Sequence, residues 1–193
     1  MNQFIPNALG SYSVGVTSGI IPAALSANSE IFQWRWVPVA TGKLCYIQRV
    51  RISASVTTTM FIAGVPVEID LVKSTAWTAV GTGGTALTFA ALTKRRTSMQ
   101  NSSVVANDVR IATTAALGAG TKTLETLALS NIVAAGPITG DSANIFTLTP
   151  ILDAYMDPLV LATGEGFSIR SIAVPATGTW RISVIVDWTE TRE

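Results

Sequence analysis

Apolar and polar residues alternate along the C-terminal end of the chain. Two such stretches lie between residues 166 and 188, flank a turn-like segment at 174–179 and predict a β-hairpin. In the second stretch every other residue is apolar: Trp180, Ile182, Val184, Val186 and Trp188. Such a strand buries one face, and a hairpin cannot bury that face alone. The pattern therefore predicts a second sheet packed against the first.

The same alternation recurs in the first half of the chain. It predicts strands at 31–36 and 44–56, which could form a hairpin, and a third strand at 67–71. Weaker strands are expected at 87–89, 109–114, 122–129, 145–149 and 159–161, although residues 127–135 also fit a short helix. No long amphipathic helix and no fixed-period repeat is present. The sequence predicts an all-β sandwich or barrel.

The first 29 residues contain no charged side chain and are interrupted by glycine and proline. They carry too many apolar groups for a solvated tail: Phe4, Ile5, Leu9, Val14, Val16, Ile20 and Ile21. We expect an extended N-terminal arm over residues 1–30, lying on its own domain or on a neighbouring subunit, and a β-sandwich domain over residues 31–193. The apolar arm residues are the predicted partner contacts.

The composition removes several classes of chemistry. Histidine is absent and Cys45 is the only cysteine, so the usual general base, intrachain disulfides and cysteine-built zinc sites are excluded. We expect no cofactor and no metal, and a buried Cys45 that acts as a small hydrophobe. Thirteen basic residues face twelve acidic ones, which predicts no direct nucleic-acid binding, and no apolar run is long enough for a membrane helix.

Charged residues make up 13% of the chain, against about 25% in ordinary globular proteins. We interpret this as a surface largely covered by copies of the chain or by a larger assembly. Within the sequence Lys94-Arg95-Arg96, Arg95 and Arg96 are candidate ion-pair partners, although a solvated turn is the simpler interpretation. Trp77 lies in a polar segment, where it could anchor an interface, stack on a sugar or fold back onto its own domain.

Two carboxylate pairs are weaker candidates. Glu68 and Asp70 share one strand face at a spacing that a glycosidase could use, but the solvent side of a half-buried strand explains them more simply. Asp153 and Asp157 lack the dense ligand spacing of a calcium loop, so we interpret them as turn residues.

Several segments resemble, in the same order, stretches of small virion proteins of tailed bacteriophages. They are GGTALT (83–88), RTSM (96–99), VRIATTAAL (109–117), PLVL (158–161), GEGF (164–167) and VPATGTW (174–180). The better understood proteins of this kind are capsid decoration, or cement, proteins with a jelly-roll fold. The resemblance covers over half of the chain, and its motifs are structural rather than catalytic. It implies a jelly-roll-like antiparallel β-sandwich.

Together these observations predict a non-enzymatic virion protein, made in the host cytoplasm, that binds the outer surface of the capsid. Its partners would be the major capsid protein and other copies of itself, as a homo-oligomer and specifically a trimer. The alternatives are a tail, neck or host-receptor (carbohydrate) binding virion protein, for which Trp77 would be the aromatic contact. A glycosidase using Glu68 and Asp70 is a further alternative.

If the arm is the docking element, deletion of residues 1–29 should abolish binding to capsids while leaving the sandwich folded. Co-sedimentation with capsids measures the first outcome, and circular dichroism measures the second. Undiminished binding would contradict the prediction.

Overall fold

The computed structural model describes residues 8–22, 25–57, 67–89, 93–96, 98–134, 144–148, 159–173 and 178–192. These residues form twelve strands: β1 (Ala8–Thr17), β2 (Ile21–Pro22), β3 (Ser29–Trp36), β4 (Lys43–Val56), β5 (Val67–Ala79), β6 (Thr85–Ala86), β7 (Val109–Ile111), β8 (Thr121–Ala134), β9 (Asn144–Leu148), β10 (Leu159–Leu161), β11 (Glu165–Ala173) and β12 (Thr179–Arg192). A short 3-10 helix, Ala106–Asp108, precedes β7. The ambiguous segment around residue 130 belongs to strand β8.

The strands form two antiparallel sheets. The first sheet has the order β1-β12-β4-β10, with β2 also paired to β12 and β9 also paired to β4. The second sheet has the order β6-β7-β3-β11-β5-β8. All pairings are antiparallel.

The pairings are nested along the chain. Strand β1 pairs with β12, β3 with β11, β4 with β9 and β10, and β5 with β8. The chain therefore folds as one long hairpin that rolls up when β12 pairs with β4 and β11 pairs with β5. This is the jelly-roll arrangement. It confirms the predicted all-β, jelly-roll-like antiparallel sandwich.

Both predicted hairpins are wrong in their pairing, although the strands themselves are present. Strands β11 and β12 lie in different sheets, and so do β3 and β4. Each of these strands pairs with two or three strands that come from distant parts of the chain. Alternation shows which face of a strand is buried, but both sheets of a sandwich bury such a face, so it does not show which sheet a strand joins.

An aromatic cluster joins the two sheets in the core. Trp188 of β12 packs edge-on against Trp34 of β3, with ring centroids 4.8 Å apart. Phe89 contacts both tryptophans, and Phe167 stacks on Trp34. The apolar positions of β12 predicted to face a core are all fully buried. The C-terminal alternation therefore identified the buried face correctly.

The described part of the arm belongs to the first sheet. Strand β1 pairs with β12 from Ala8 to Thr17, and β2 continues along β12 at Ile21 and Pro22. Tyr12 is fully buried and stacks on Trp188 at 5.3 Å. These described residues are extended and lie on their own domain, the first of the two predicted positions. Because they supply an edge strand and core side chains, we expect deletion of residues 1–29 to destabilise the sandwich rather than leave it unaffected.

Gly166 of β11 is a position where only hydrogen fits. A Cβ atom there would lie 2.1 Å from the carbonyl oxygen of Trp34 and 2.8 Å from the ring of Trp77. We expect Gly166→Ala to lower the free energy of unfolding by about 1–3 kcal/mol or more, because neither backbone nor indole can yield freely. Urea unfolding measures this.

Gly15 of β1 provides the matched control. A Cβ atom at Gly15 would lie 3.6 Å from Ile185, an ordinary contact. Gly15→Ala should therefore leave stability unchanged or raise it by up to about 1 kcal/mol, since glycine weakens a strand. Equal effects of the two substitutions would contradict the packing described for Gly166.

Candidate interaction surface

The predicted arm contacts differ in how much surface they offer. Ile21 is fully buried, Val14 and Val16 pack partly buried against the core, and Leu9 is half-buried. Ile20 is 39% exposed and is the most accessible of them. Phe4 and Ile5 lie outside the described residues. The Ile21 side chain is buried and therefore cannot contact a partner. Partner contacts by the other predicted arm residues stay a prediction.

Trp77 packs on its own sandwich, which was one of the three predicted possibilities. The indole is 1% exposed, and its ring lies against Gly166. Its Nε1 donates to the carbonyl oxygen of Ala79 at 2.9 Å. The ammonium group of Lys122 lies 4.0 Å from the ring centroid, in cation–π contact. No open indole face is left for a sugar or a partner.

Residues 93–96 run along the outer edge of β1, and we call this segment the strap. Lys94 forms a β-bridge with Tyr12, and the Arg95 amide donates to the Ser11 carbonyl at 3.1 Å. The Tyr12 hydroxyl donates to the Gln100 carbonyl just after the strap. The strap therefore occupies backbone groups that an edge strand would otherwise present to other chains.

Arg95 forms an ion pair within the chain. Its guanidinium lies 2.7 Å from Asp187 Oδ1 on β12, while the side chain stays 44% exposed. Arg96 is exposed and forms no ion pair with a described residue. The carboxylate that Arg95 binds belongs to its own chain, whereas the prediction concerned a partner. Contacts of Arg95 and Arg96 with a partner stay a prediction.

Asp187 holds three elements together. Besides Arg95 of the strap, it accepts from Arg49 of β4 at 2.5 Å and from the Ser13 hydroxyl of β1 at 2.6 Å. The side chain is 2% exposed. Burial alone would raise the pKa of Asp187, but the hydrogen bonds from Ser13, Arg95 and Arg49 outweigh it, and the pKa lies below its usual value.

The outer face of the first sheet around Asp187 is rich in hydroxyl and guanidinium groups. Its rows across the sheet include Thr17–Ser183–Ser53, Gly15–Ile185–Arg51 and Ser11–Thr189–Tyr46. Thr17 and Ser183 hydrogen-bond through their hydroxyls at 2.9 Å. Arg181 is exposed farther along β12, opposite Ser55 of β4. We call this outer surface of β4 and β12, which carries Arg49, Arg51 and Arg181, the arginine face.

Most of the charged side chains described in the second sheet form ion pairs, and two of these pairs are largely buried. Lys122 and Glu30 contact each other with both side chains at most 4% exposed, and burial lowers the pKa of Lys122. Arg35 binds Asp108 at 2.8 Å, yet burial still raises the pKa of Asp108. These groups stabilise the outer side of the sheet rather than offering open charge.

The proposed carboxylate sites do not form an open pair among the described side chains. Asp70 is 2% exposed, rather than solvent-facing as expected, and Arg170 binds it at 2.9 Å. The side chain of Glu68 and all of Asp153 and Asp157 lie outside what the structure describes. Cys45 is fully buried as predicted, and burial raises the pKa of its thiol well above the usual value.

No group of three acidic or cysteine side chains able to hold a metal occurs within the described part of the chain. In the same residues no helix is long and apolar enough to span a membrane.

Sequence patterns did not single out Asp187 or Arg49. Both occupy polar positions of alternating strands, 138 residues apart, as do many residues that only face water. The pairing register of β12 with β4 brings them together. In the sequence alone, the only sign of these two residues is their polar position in an alternating pattern, and the other polar residues of each strand share that position.

Comparisons with known proteins give little further information. No family model and no curated protein sequence matches the chain. A search of solved structures finds VP1 of Trichodysplasia spinulosa-associated polyomavirus, in complex with GM1 oligosaccharide. The alignment covers 99% of this chain and 97% of that one, with 9% identity and a TM-score of 0.31. At that score the similarity supports no argument about fold or function.

Replacement of Asp187 tests the three-way contact. We expect Asp187→Asn to lower the free energy of unfolding at pH 7 by about 1–3 kcal/mol, because two arginines lose their carboxylate. A depressed carboxyl pKa contributes stability above its unfolded value near 4 and loses it as the pH falls through the folded value. The difference between wild type and variant should therefore shrink below about pH 4.

Asp108→Asn is the matched control. Asp108 also binds an arginine, but its pKa is raised, so the wild-type protein gains stability from this group on acidification. The difference for Asp108→Asn should not shrink as the pH falls. Denaturant unfolding from pH 7 to pH 3 measures both, and parallel behaviour would contradict the assignment for Asp187.

Proposed function

We propose that the protein is a non-enzymatic structural protein of a tailed-phage virion, which binds the outer capsid surface as a trimer and bridges capsid subunits. The major capsid protein would be its partner. The observation that carries the proposal is the nested strand order, β1·β12, β3·β11, β4·β10 and β5·β8. It is the architecture that the resemblance to phage decoration proteins implies.

The described surface supports contacts that are polar. Ile20, Val39 and Leu124 are the large apolar side chains that are more than a third exposed among the described residues. They lie in the β1–β2 connection, in the β3–β4 connection and on β8, three different elements of the fold. Polar contacts of this kind are individually weak, and a trimer that contacts several capsid subunits gains affinity through multivalency.

The rigidity of the fold also supports a bridging role. Aromatic rings join the sheets in the core, and the strap and Asp187 hold the edge strand from outside. A protein that resists separation of capsid subunits must transmit force without unfolding. Long antiparallel pairings such as β4·β12 suit this role, because many backbone hydrogen bonds join the two strands. A glycan-binding role loses its aromatic candidate, because Trp77 is buried.

Imaging of the intact particle tests the proposal. Electron cryomicroscopy of wild-type particles and of particles lacking this protein should give difference density on the outside of the capsid, at positions between neighbouring subunits. Particles without the protein should release DNA at a lower temperature, because the subunits lose a bridge. Difference density at the neck or tail would reject capsid decoration and support the alternative virion positions.

A further inference from the structure

The acidic side chains that the structure describes are all occupied. Each accepts a hydrogen bond or ion pair from a donor in its own chain. These residues are Glu30, Asp70, Asp108, Glu125, Glu165, Asp187 and Glu190. Among the acidic residues that form ion pairs, Glu125 has the most exposed side chain, at 41%. The described surface therefore presents little free negative charge.

The basic side chains are distributed differently. Seven form no ion pair with a described residue: Lys43, Arg51, Lys94, Arg96, Arg110, Arg181 and Arg192. Six of the seven belong to β4, to β12 or to the strap beside β1. Arg110, on β7, is the one that lies in the second sheet. Basic side chains without an ion-pair partner among the described residues therefore lie mainly on or beside the first sheet, in a chain whose net charge is only +1.

The geometry of the arginine face suits carboxylates. Arg49 and Arg51 lie two residues apart on one side of β4, so their Cα atoms are about 6–7 Å apart. Arg181 projects from the adjacent strand β12, and the paired Ser53 and Ser183 lie on the same face between Arg51 and Arg181. Guanidinium groups bind carboxylates in a bidentate way, and the hydroxyls add neutral donors and acceptors.

We propose that the arginine face docks on a carboxylate-rich surface of a different protein; under the proposed function, that surface belongs to the capsid. A second copy of this chain offers few free carboxylates among its described residues. Single-stranded nucleic acid binds sheet faces through several exposed aromatic rings, whereas all five tryptophans are fully or almost fully buried, and Tyr46 is the half-buried aromatic side chain in the rows described for this face.

A glutamate homopolymer serves as the probe, with a single-stranded DNA oligonucleotide of equal charge as the comparison. The affinity of purified protein for each is measured by fluorescence anisotropy at several salt concentrations. Arg51→Glu and Arg181→Glu should each weaken homopolymer binding at least about fivefold. Arg110→Glu changes the net charge equally but lies in the other sheet, and it should change affinity less than about twofold. Unfolding measurements show whether each variant is folded. If Arg51→Glu does not fold, Arg181→Glu still tests the proposal, because Arg181 is exposed.

Three outcomes would overturn the proposal: no binding of the homopolymer, an equal loss in all three variants, or tighter binding of the oligonucleotide. Co-sedimentation with particles that lack the protein separates this proposal from the proposed function. Wild-type binding by Arg181→Glu would leave capsid decoration intact and reject the arginine face. The variants could show the predicted affinities for the homopolymer while the difference density lies at the tail. That result would support carboxylate binding by the arginine face and reject its docking on the capsid.

Discussion

The two-sided pairing of β12 is the constraint on which the rest of the structure depends. This strand pairs with β1 along one edge and with β4 along the other, and buries Trp180, Ile182, Val184, Val186 and Trp188 completely. A strand between two neighbours with one fully apolar face cannot shift its register by one residue, because the shift would expose that face. The register in turn places Asp187 between Ser13 and Arg49 on the outer side.

Charge is divided between the two sheets. Apart from Arg110, the charged side chains described in the second sheet form pairs such as Glu30–Lys122, where burial requires partners. The first sheet has two buried carboxylates among its described residues, Asp187 and Glu190, and several arginines beyond those that Asp187 binds. A nearly neutral chain therefore has an uneven surface. Net charge alone did not reveal this, because it sums over both sheets.

The candidate residues show how far one-dimensional patterns reach. Arg95 was identified as an ion-pairing residue because it lies in the run of three basic residues, but the carboxylate that it meets is 92 positions away on β12. Trp77 lies in a polar segment, yet it is buried because Gly166 and Lys122 lie against its ring. Ile21 was correctly seen as apolar, and its burial against β12 could not be read from its neighbours. In each case the sequence showed the type of residue but did not show which residue it would contact.

The sequence by itself determined the class of fold and the buried face of the clearest strands, because a period of two reflects the local geometry of a strand. It also determined which chemistries lack their residues, since histidine is absent. Only the tertiary structure decided that β11 and β12 belong to opposite sheets, that the described arm is an edge strand, and that arginines collect on one face. These features depend on pairings between residues more than 100 positions apart, and no local pattern encodes them.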